Sequence, residues 1–370
     1  MKKISQLELG LLLCLFNYST MVGFWIGPLA GIASYSGWAV LPIAAIIGSS
    51  AAGVTVWLGN RLDDRMPGHS GGMLQTFLAL LLTVPAFGFF LHQAAYIMKE
   101  FTDFMAQMYL PTTPEWLLTA LFLYTAAIAV RSGLETIVRC ASGFFFVVFM
   151  ASLLAPLLVT KDVNFDRSIA LVTHFRFDSM WEAVYKTAPW FGESFFVLFL
   201  LPRIDAPQRT YRTLLIASIG SSLVTAFYYI YSMLLFGQSV TAHLTYPVME
   251  VIRYVRIGDF LENMDPLMEA IWTASIFIKL CTLLYIVTLL MTRIVKVKDG
   301  RPFSFVTAAI VFGIVNQMNV STTELNDFFQ SSWATFAWFI VLSTILVLAL
   351  YLSFAKMNAA AYQTPSEEGG

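Results

Sequence analysis

The chain has 370 residues, 58% of them hydrophobic, 15% aromatic and only 12% charged. Soluble domains carry roughly 25% charge, so this composition excludes an ordinary soluble protein and points to a polytopic membrane protein. The formal net charge of -1, with no basic tail or patch, offers nothing to nucleic acid. The three cysteines (Cys14, Cys140, Cys281) are scattered through apolar runs, which argues against a disulfide framework. The four histidines (His69, His92, His174, His243) show no metal-ligand spacing. No metal and no organic cofactor is expected. Nucleophile elbows, P-loops and zincin helices are all missing, so no enzyme is expected either.

A helix needs about 20 apolar residues to cross a bilayer. On that measure the predicted spans are 7–33, 38–59, 73–107, 115–131, 135–159, 183–202, 211–236, 266–292, 302–318 and 329–355. The first run is far longer than the h-region of a signal peptide, about 7–15 residues, and lacks a small-residue cleavage site, so it reads as a retained span. It is interrupted by glycine and proline over Asn17–Gly31 (NYSTMVGFWIGPLAG). Span six is interrupted in the same way over Thr187–Pro202 (TAPWFGESFFVLFLLP). Backbone groups freed by a broken helix cannot face hydrocarbon and are tolerated only around a cavity inside protein. Two such breaks at corresponding places in two halves point to a transporter-type site at mid-membrane. Five spans precede the midpoint and five follow it, with a broken span leading each set. This pattern predicts an all-α polytopic membrane protein of ten transmembrane helices. They form an inverted five-plus-five repeat, the leucine-transporter-like architecture, with repeat one over about 7–159 and repeat two over about 183–355. Residues 1–356 then form one permease-like domain.

Between spans two and three, GNRLDDRMPG places Arg61, Asp63, Asp64 and Arg65 in a charged turn, and Gly68–Gly72 continues it. Span three is long, which implies a steep tilt or an extension beyond the membrane. Arg131, Glu135 and Arg139 share a face if the helix is continuous, whereas Gly133 makes a break plausible; either way a structural latch or partner-docking site is expected. A polar gap over 160–182 precedes span six. In the longer gap 237–265, the spacing of Val248, Val251, Ile252 and Val255 suits a short amphipathic helix on the outer surface, with Arg253 and Arg256 as rim charges or part of a lid. The tail 357–370 is small, polar and acidic, and is expected to be disordered. With the N-terminus inside, the inner side carries 14 Lys and Arg and the outer side 5 (Lys161, Arg167, Arg176, Arg253, Arg256). The positive-inside rule therefore places both termini in the cytoplasm.

Ionisable residues inside spans are costly and read by default as functional. Lys279 lies halfway along span eight, with no charge between Glu269 and Arg293. In leucine-transporter-like proteins a sodium ion bridges spans one and eight at this depth. The lysine ammonium is expected to replace it and bond the carbonyls exposed near Ser19–Gly23; the structural alternative is a lysine that ties two helices together or snorkels. Glu100 stands one turn from Tyr96 on span three, so both share a face. Glu100 either enters the pocket or, about 42 Å along a helix that began near Gly72, lies solvated or locally paired with Lys99 near the outer end. Glu193 follows Gly192 at the second break, where it binds a cation, pairs with a lysine or caps the second half-helix. Trp190 and Phe191 read either as gates or as packing. The candidate ligand-binding set is Gly23, Phe24, Tyr96, Glu100, Phe191, Gly192, Glu193, Lys279 and Thr282.

Several runs carry a family resemblance: SQLELG at the start, RSGLETIVR over Arg131–Arg139, PWFGE over Pro189–Glu193, Tyr246–Trp272, and Lys279 within FIKLCTLLY. Together they resemble the spore germination permease family, the B subunit of endospore nutrient germinant receptors, in the amino acid–polyamine–organocation superfamily. The resemblance implies a multi-pass protein of the endospore inner membrane. It implies a small nutrient ligand, often an amino acid, and two partners, an A subunit and a lipoprotein C subunit. A proton-coupled amino-acid transporter acting alone shares every pocket feature and remains the alternative.

Overall fold

The structure, a computed structural model, describes residues 3–62, 73–255, 265–297, 299–318, 320 and 322–361. Asp63, Asp64, Arg65, Gly68–Gly72, Arg256 and Asn263 therefore lie outside the described residues. Ser5 opens the first helix with a capping box: its hydroxyl accepts from the Glu8 amide at 3.2 Å, and the Glu8 carboxylate accepts from the Ser5 amide at 2.9 Å. Helix α1 (Gln6–Thr20) passes through a π-turn at Met21–Trp25 into α2 (Ile26–Ala33), and a short 3₁₀ turn leads to α3 (Gly37–Arg61). The 56-residue run from Gln6 to Arg61 would span about 84 Å if straight, far more than a bilayer core of about 30 Å. It folds back at Ser34, whose φ of 49° breaks the helix. The Ile4 amide donates to Arg203 O at 2.8 Å and Asn60 Nδ2 to Pro207 O at 2.8 Å, so both ends of the run reach the same end of the bundle. At the other end, Ser36 Oγ accepts from the Arg176 amide at 2.8 Å and Tyr229 donates to the Ser34 carbonyl.

The chain continues through α4 (Met73–Met108), α5 (Glu115–Ser132), α6 (Leu134–Leu158) and the short α7 (Ala170–Thr173). Helix α8 (Phe177–Gly192) runs without a gap into a 3₁₀ helix, Glu193–Arg203. Then follow α9 (Thr210–Phe236), α10 (Gln238–His243), α11 (Pro247–Arg253), α12 (Asp265–Val295), α13 (Phe303–Gln317), α14 (Thr322–Gln330) and α15 (Ser332–Ala361). A helical segment thus occupies each of the ranges expected from the sequence. Six runs among the described residues are long and apolar enough to cross a membrane. Leu121 and Ile128 of α5, Phe146, Met150 and Leu154 of α6, and Phe339, Leu342 and Leu346 of α15 are exposed. An apolar exterior around buried polar groups is the arrangement of an integral membrane protein.

Helix α12 runs through the middle, against α1, α4, α5, α6 and α13, and is buried along most of its length. Helix α3 packs between α8 and α9. Glycine makes that packing possible, because a Cβ at Gly48 would collide with the Ala188 carbonyl and one at Gly53 with the Tyr211 ring. Three expectations need correction. Span six starts six residues earlier than 183, at Phe177, because Met180, Ala183, Val184 and Thr187 are buried while Glu182 and Lys186 pair at 2.7 Å on the other face. The helix at 247–253 buries its apolar face, Val248, Val251, Ile252 and Val255, as expected, but sits deeper than a surface helix, because Pro247 and Met249 are buried as well and Arg253 alone is exposed. The last helix continues to Ala361, so residues 357–361 are not a disordered tail, and the rest of the tail lies outside the described residues. Gly133, at φ 99°, breaks the chain between α5 and α6; Glu135 pairs with Arg139 at 3.6 Å, while Arg131 lies 5.8 Å from the Phe305 ring.

Candidate functional site

Neither expected break is an unwound loop. In the first, the helix widens to a π-turn at Met21–Trp25, and in the second it tightens to 3₁₀ geometry from Glu193 onward. Both are local departures from α-geometry of the kind found at functional sites, and a 3₁₀ run of 11 residues is far longer than usual. The segments that carry them pack against each other. Trp25 Nε1 donates to Thr187 Oγ1 at 2.9 Å, Ser194 Oγ to Asn17 Oδ1 at 3.4 Å, and the Trp25 and Trp190 rings lie 5.7 Å apart.

The centre of this junction is an ion pair with almost no contact with solvent. Lys279 Nζ of α12 donates to Glu193 Oε2 at 2.8 Å, and the two side chains are 1% and 0% exposed. Gln93 Nε2, on α4, donates to Glu193 Oε1. The ammonium also lies 4.3 Å from the Phe16 ring centroid and 5.8 Å from that of Trp190. Glu193 is therefore held by two donors from two other helices, and Lys279 by one carboxylate and two ring faces. Removing either charge leaves the other buried and uncompensated, the expensive case for an internal ion pair. Lys279 does reach span one, but through the Phe16 ring; its hydrogen bond goes to Glu193 and not to the expected carbonyls. The Ser19 carbonyl is taken instead by Trp272 Nε1 at 2.9 Å. Glu193 faces Lys279 and Gln93, so it is not a cap for the segment that follows.

The other expected residues distribute around this pair. Phe191 is fully buried, and Thr282 donates back to Ile278 O at 2.8 Å. Gly192 has room for a Cβ, with Gly48 O and Val341 at 3.8 Å. Gly23 has none, since a Cβ there would overlap the Trp272 indole. Phe24 meets that indole edge-on at 5.4 Å. Tyr96 stacks on His92 at 4.2 Å and lies 5.0 Å from Phe328, so it faces α14 and not the ion pair. Glu100 is buried, not solvated, and its Oε1 has no partner. Lys99 does pair locally, with Asp103 at 2.6 Å and Glu115 at 3.1 Å. Arg253 binds Glu250 at 2.7 Å and lies 3.7 Å from Asp265, tying α11 to α12.

A cavity opens beside the π-turn. Tyr18, Gly23, Phe104, Tyr228, Tyr246 and Trp272 are among the residues that line it. Tyr18 and Ser152 hydroxyls bond at 2.5 Å across its floor. The Tyr246 hydroxyl is buried without a partner, and burial, reinforced by the carboxylates of Glu100 and Asp103, pushes this phenol above its usual range. Val22 and Gly23 of the π-turn thus reach the cavity, with the Trp272 indole filling the space beside Gly23. Sequence reasoning missed Gln93, Phe16 and Trp272. Gln93 had a signal, an amide inside the apolar run FFLHQAAY; an aromatic residue in a chain this rich in them had none. Among the described residues no group of His, Cys, Asp and Glu could hold a metal ion, and the cysteines are free.

A sequence model for the spore permease family, described as "Spore germination protein", matches residues 3–328. Among curated proteins, the putative spore germination protein YfkT of Bacillus subtilis (strain 168) is 24% identical over 270 residues, 71% of this chain and 72% of that protein. Spore germination protein KB of the same organism is 20% identical over 236 residues, 63% of each chain. Spore germination protein XB of Bacillus anthracis is 24% identical over 190 residues, 51% of this chain and 53% of that protein. Among solved structures, the nucleobase-cation-symport-1 family transporter Mhp1, in a closed conformation with bromovinylhydantoin bound, superposes with a TM-score of 0.60 at 13% identity. That match covers 89% of this chain and 74% of the transporter, and it shows that the fold is leucine-transporter-like.

Proposed function

The chain belongs to the spore permease family of spore germination proteins, and from that premise we propose that it is the nutrient-sensing, permease-fold subunit of a germinant receptor. It binds a small nutrient, an amino acid in the first instance, between the irregular helices one and six. It passes the signal to an A subunit and a lipoprotein C subunit in the endospore inner membrane. The chain crosses that membrane ten times as a single domain, with both termini in the cytoplasm. The observation that supports this reading is the buried Glu193–Lys279 pair, set at the first residue of the 3₁₀ helix and against the Phe16 ring of α1, the helix that leads into the π-turn. A zwitterion carries the two charges that such a pair exchanges, so a nutrient amino acid can open the pair and take one partner to each end. Gly23, Phe24, Tyr96, Glu100, Phe191, Gly192 and Thr282 are the remaining candidate ligand residues, with Tyr96 turned toward α14. A ligand biases the receptor only through its different affinity for the open and paired states.

The same pair favours a second reading, a proton-coupled amino-acid transporter acting alone, because a buried carboxylate and amine can exchange a proton when the pair opens. Uptake of radiolabelled amino acids into liposomes containing only this protein separates the two. The sensing reading predicts binding without accumulation; accumulation driven by a proton gradient supports the transporter. Absence of both binding and uptake across the amino acids overturns each.

A further inference from the structure

Among the described residues, two cations at one end of the bundle have no carboxylate partner. Arg203 closes the 3₁₀ helix, with its guanidinium 5.4 Å from the Tyr285 ring centroid. Its Nη1 is buried and has no hydrogen-bond acceptor. Arg293, in the last turn of α12, lies 5.7 Å from the Phe199 ring and donates through Nη2 to Phe199 O at 3.3 Å. Phe199, whose carbonyl holds Arg293, stands four residues before Arg203 on the same 3₁₀ helix, which brings the two like charges to one end of it. The ion pairs among the described residues include neither arginine. Described carboxylates at this end have other partners: Asp205 accepts from the Ala206 amide at 3.0 Å, Glu8 from the Ser5 amide at 2.9 Å, and Asp299 from the Arg301 amide at 3.0 Å.

One peptide carbonyl does not compensate two like charges, and an Nη without an acceptor is costly to bury. A guanidinium is a rigid fork of donors suited to two oxygens of one anion. Arg293 is exposed and Arg203 half-buried, so an anion can enter from the surface and reach the inner group. We propose that Arg203 and Arg293 form a site for a phosphate group, held between the end of the 3₁₀ helix and the end of α12. The phosphate comes either from the headgroup of an anionic phospholipid or from free phosphate. The apolar sequence of both elements stops at these arginines, and basic pockets between helices at the membrane edge take anionic lipids. A bound phosphate ties together the far ends of the two segments that carry Glu193 and Lys279. The site is independent of what binds at that pair.

The test is thermal unfolding of the purified full chain in a neutral detergent, titrated with dioctanoyl phosphatidylglycerol or with inorganic phosphate. Dioctanoylglycerol and chloride at matched ionic strength are the controls. The proposal expects a saturable rise in Tm in wild type that the controls do not give. Arg203→Gln with Arg293→Gln weakens the half-saturation concentration by about tenfold or more, and the corresponding Lys pair retains part of the effect. A rise with phosphatidylglycerol alone assigns the site to a headgroup, and an equal rise with inorganic phosphate assigns it to the free ion. If the double Gln variant does not fold, Arg293→Gln alone, at an exposed position, gives the comparison. No saturable rise in wild type, or an unchanged half-saturation in the Gln variants, overturns the proposal.

Discussion

Replacing Lys279 by Met keeps the length of the side chain and removes its charge. Glu193, 0% exposed, is then left with Gln93 as its one donor. Breaking a buried ion pair from one side costs about 3–5 kcal/mol, and the contact with Phe16 at 4.3 Å is part of that loss. The carboxylate can take up a proton, which limits the cost to the lower part of the range. Glu193→Gln strands the ammonium in the same way. The double variant leaves two neutral side chains of nearly native shape. Because neutral replacements of a buried pair are often close to harmless, its cost should be no more than about 1–2 kcal/mol. The two single changes therefore couple by at least about 3 kcal/mol, well beyond the additivity expected of independent sites. Equilibrium unfolding in mixed micelles measures all three variants. A double variant as unstable as the sum of the singles refutes the reasoning, as does a Lys279→Met protein within about 0.5 kcal/mol of wild type.

Gly23→Leu drives a side chain into the space held by the Trp272 indole and should abolish nutrient response while the protein still reaches the membrane; spore germination kinetics and immunoblotting check both halves. Gly192→Leu should do the same, although its nearest neighbours stand off at 3.8 Å, and a normal response there would remove Gly192 from the site. Gly48→Ala should destabilise the bundle by about 1–3 kcal/mol, because the new methyl meets a backbone carbonyl that cannot turn aside; thermal unfolding in detergent reads this. A cysteine at Thr173 should react with an impermeant maleimide from the outer face, and reaction from the cytoplasmic face alone would overturn the proposed orientation.

The helices were legible because a bilayer demands long apolar runs, and the starts found at Gln6 and Glu115 fall within a residue of those read from hydropathy. Amphipathic helices were harder. Phe177–Gly192 mixes Asp178, Glu182 and Lys186 with its buried face, so an average along the chain cut off its first turns. Gly/Pro interruptions located both irregular segments, yet composition does not distinguish an unwound loop from a π-turn or a 3₁₀ run. Lys279 and Glu193 stood out because charge is rare in apolar sequence. That they meet each other, and that Tyr96 turns toward α14 and not toward them, depends on how α4, α8 and α12 pack. The orphan donor of Arg203 was invisible for the same reason, since a cation at a helix end is ordinary until its neighbours are known.

The central claim, a nutrient site that works by opening the Glu193–Lys279 pair, is tested most directly by ligand binding to the purified protein. Isothermal calorimetry with the twenty amino acids should give saturable binding for at least one in wild type. The stable double variant, Lys279→Met with Glu193→Gln, should lose that binding by about a hundredfold or more, because both charged ends of the ligand lose their partners. Undiminished affinity in the folded double variant would contradict the account and place the nutrient elsewhere in the protein.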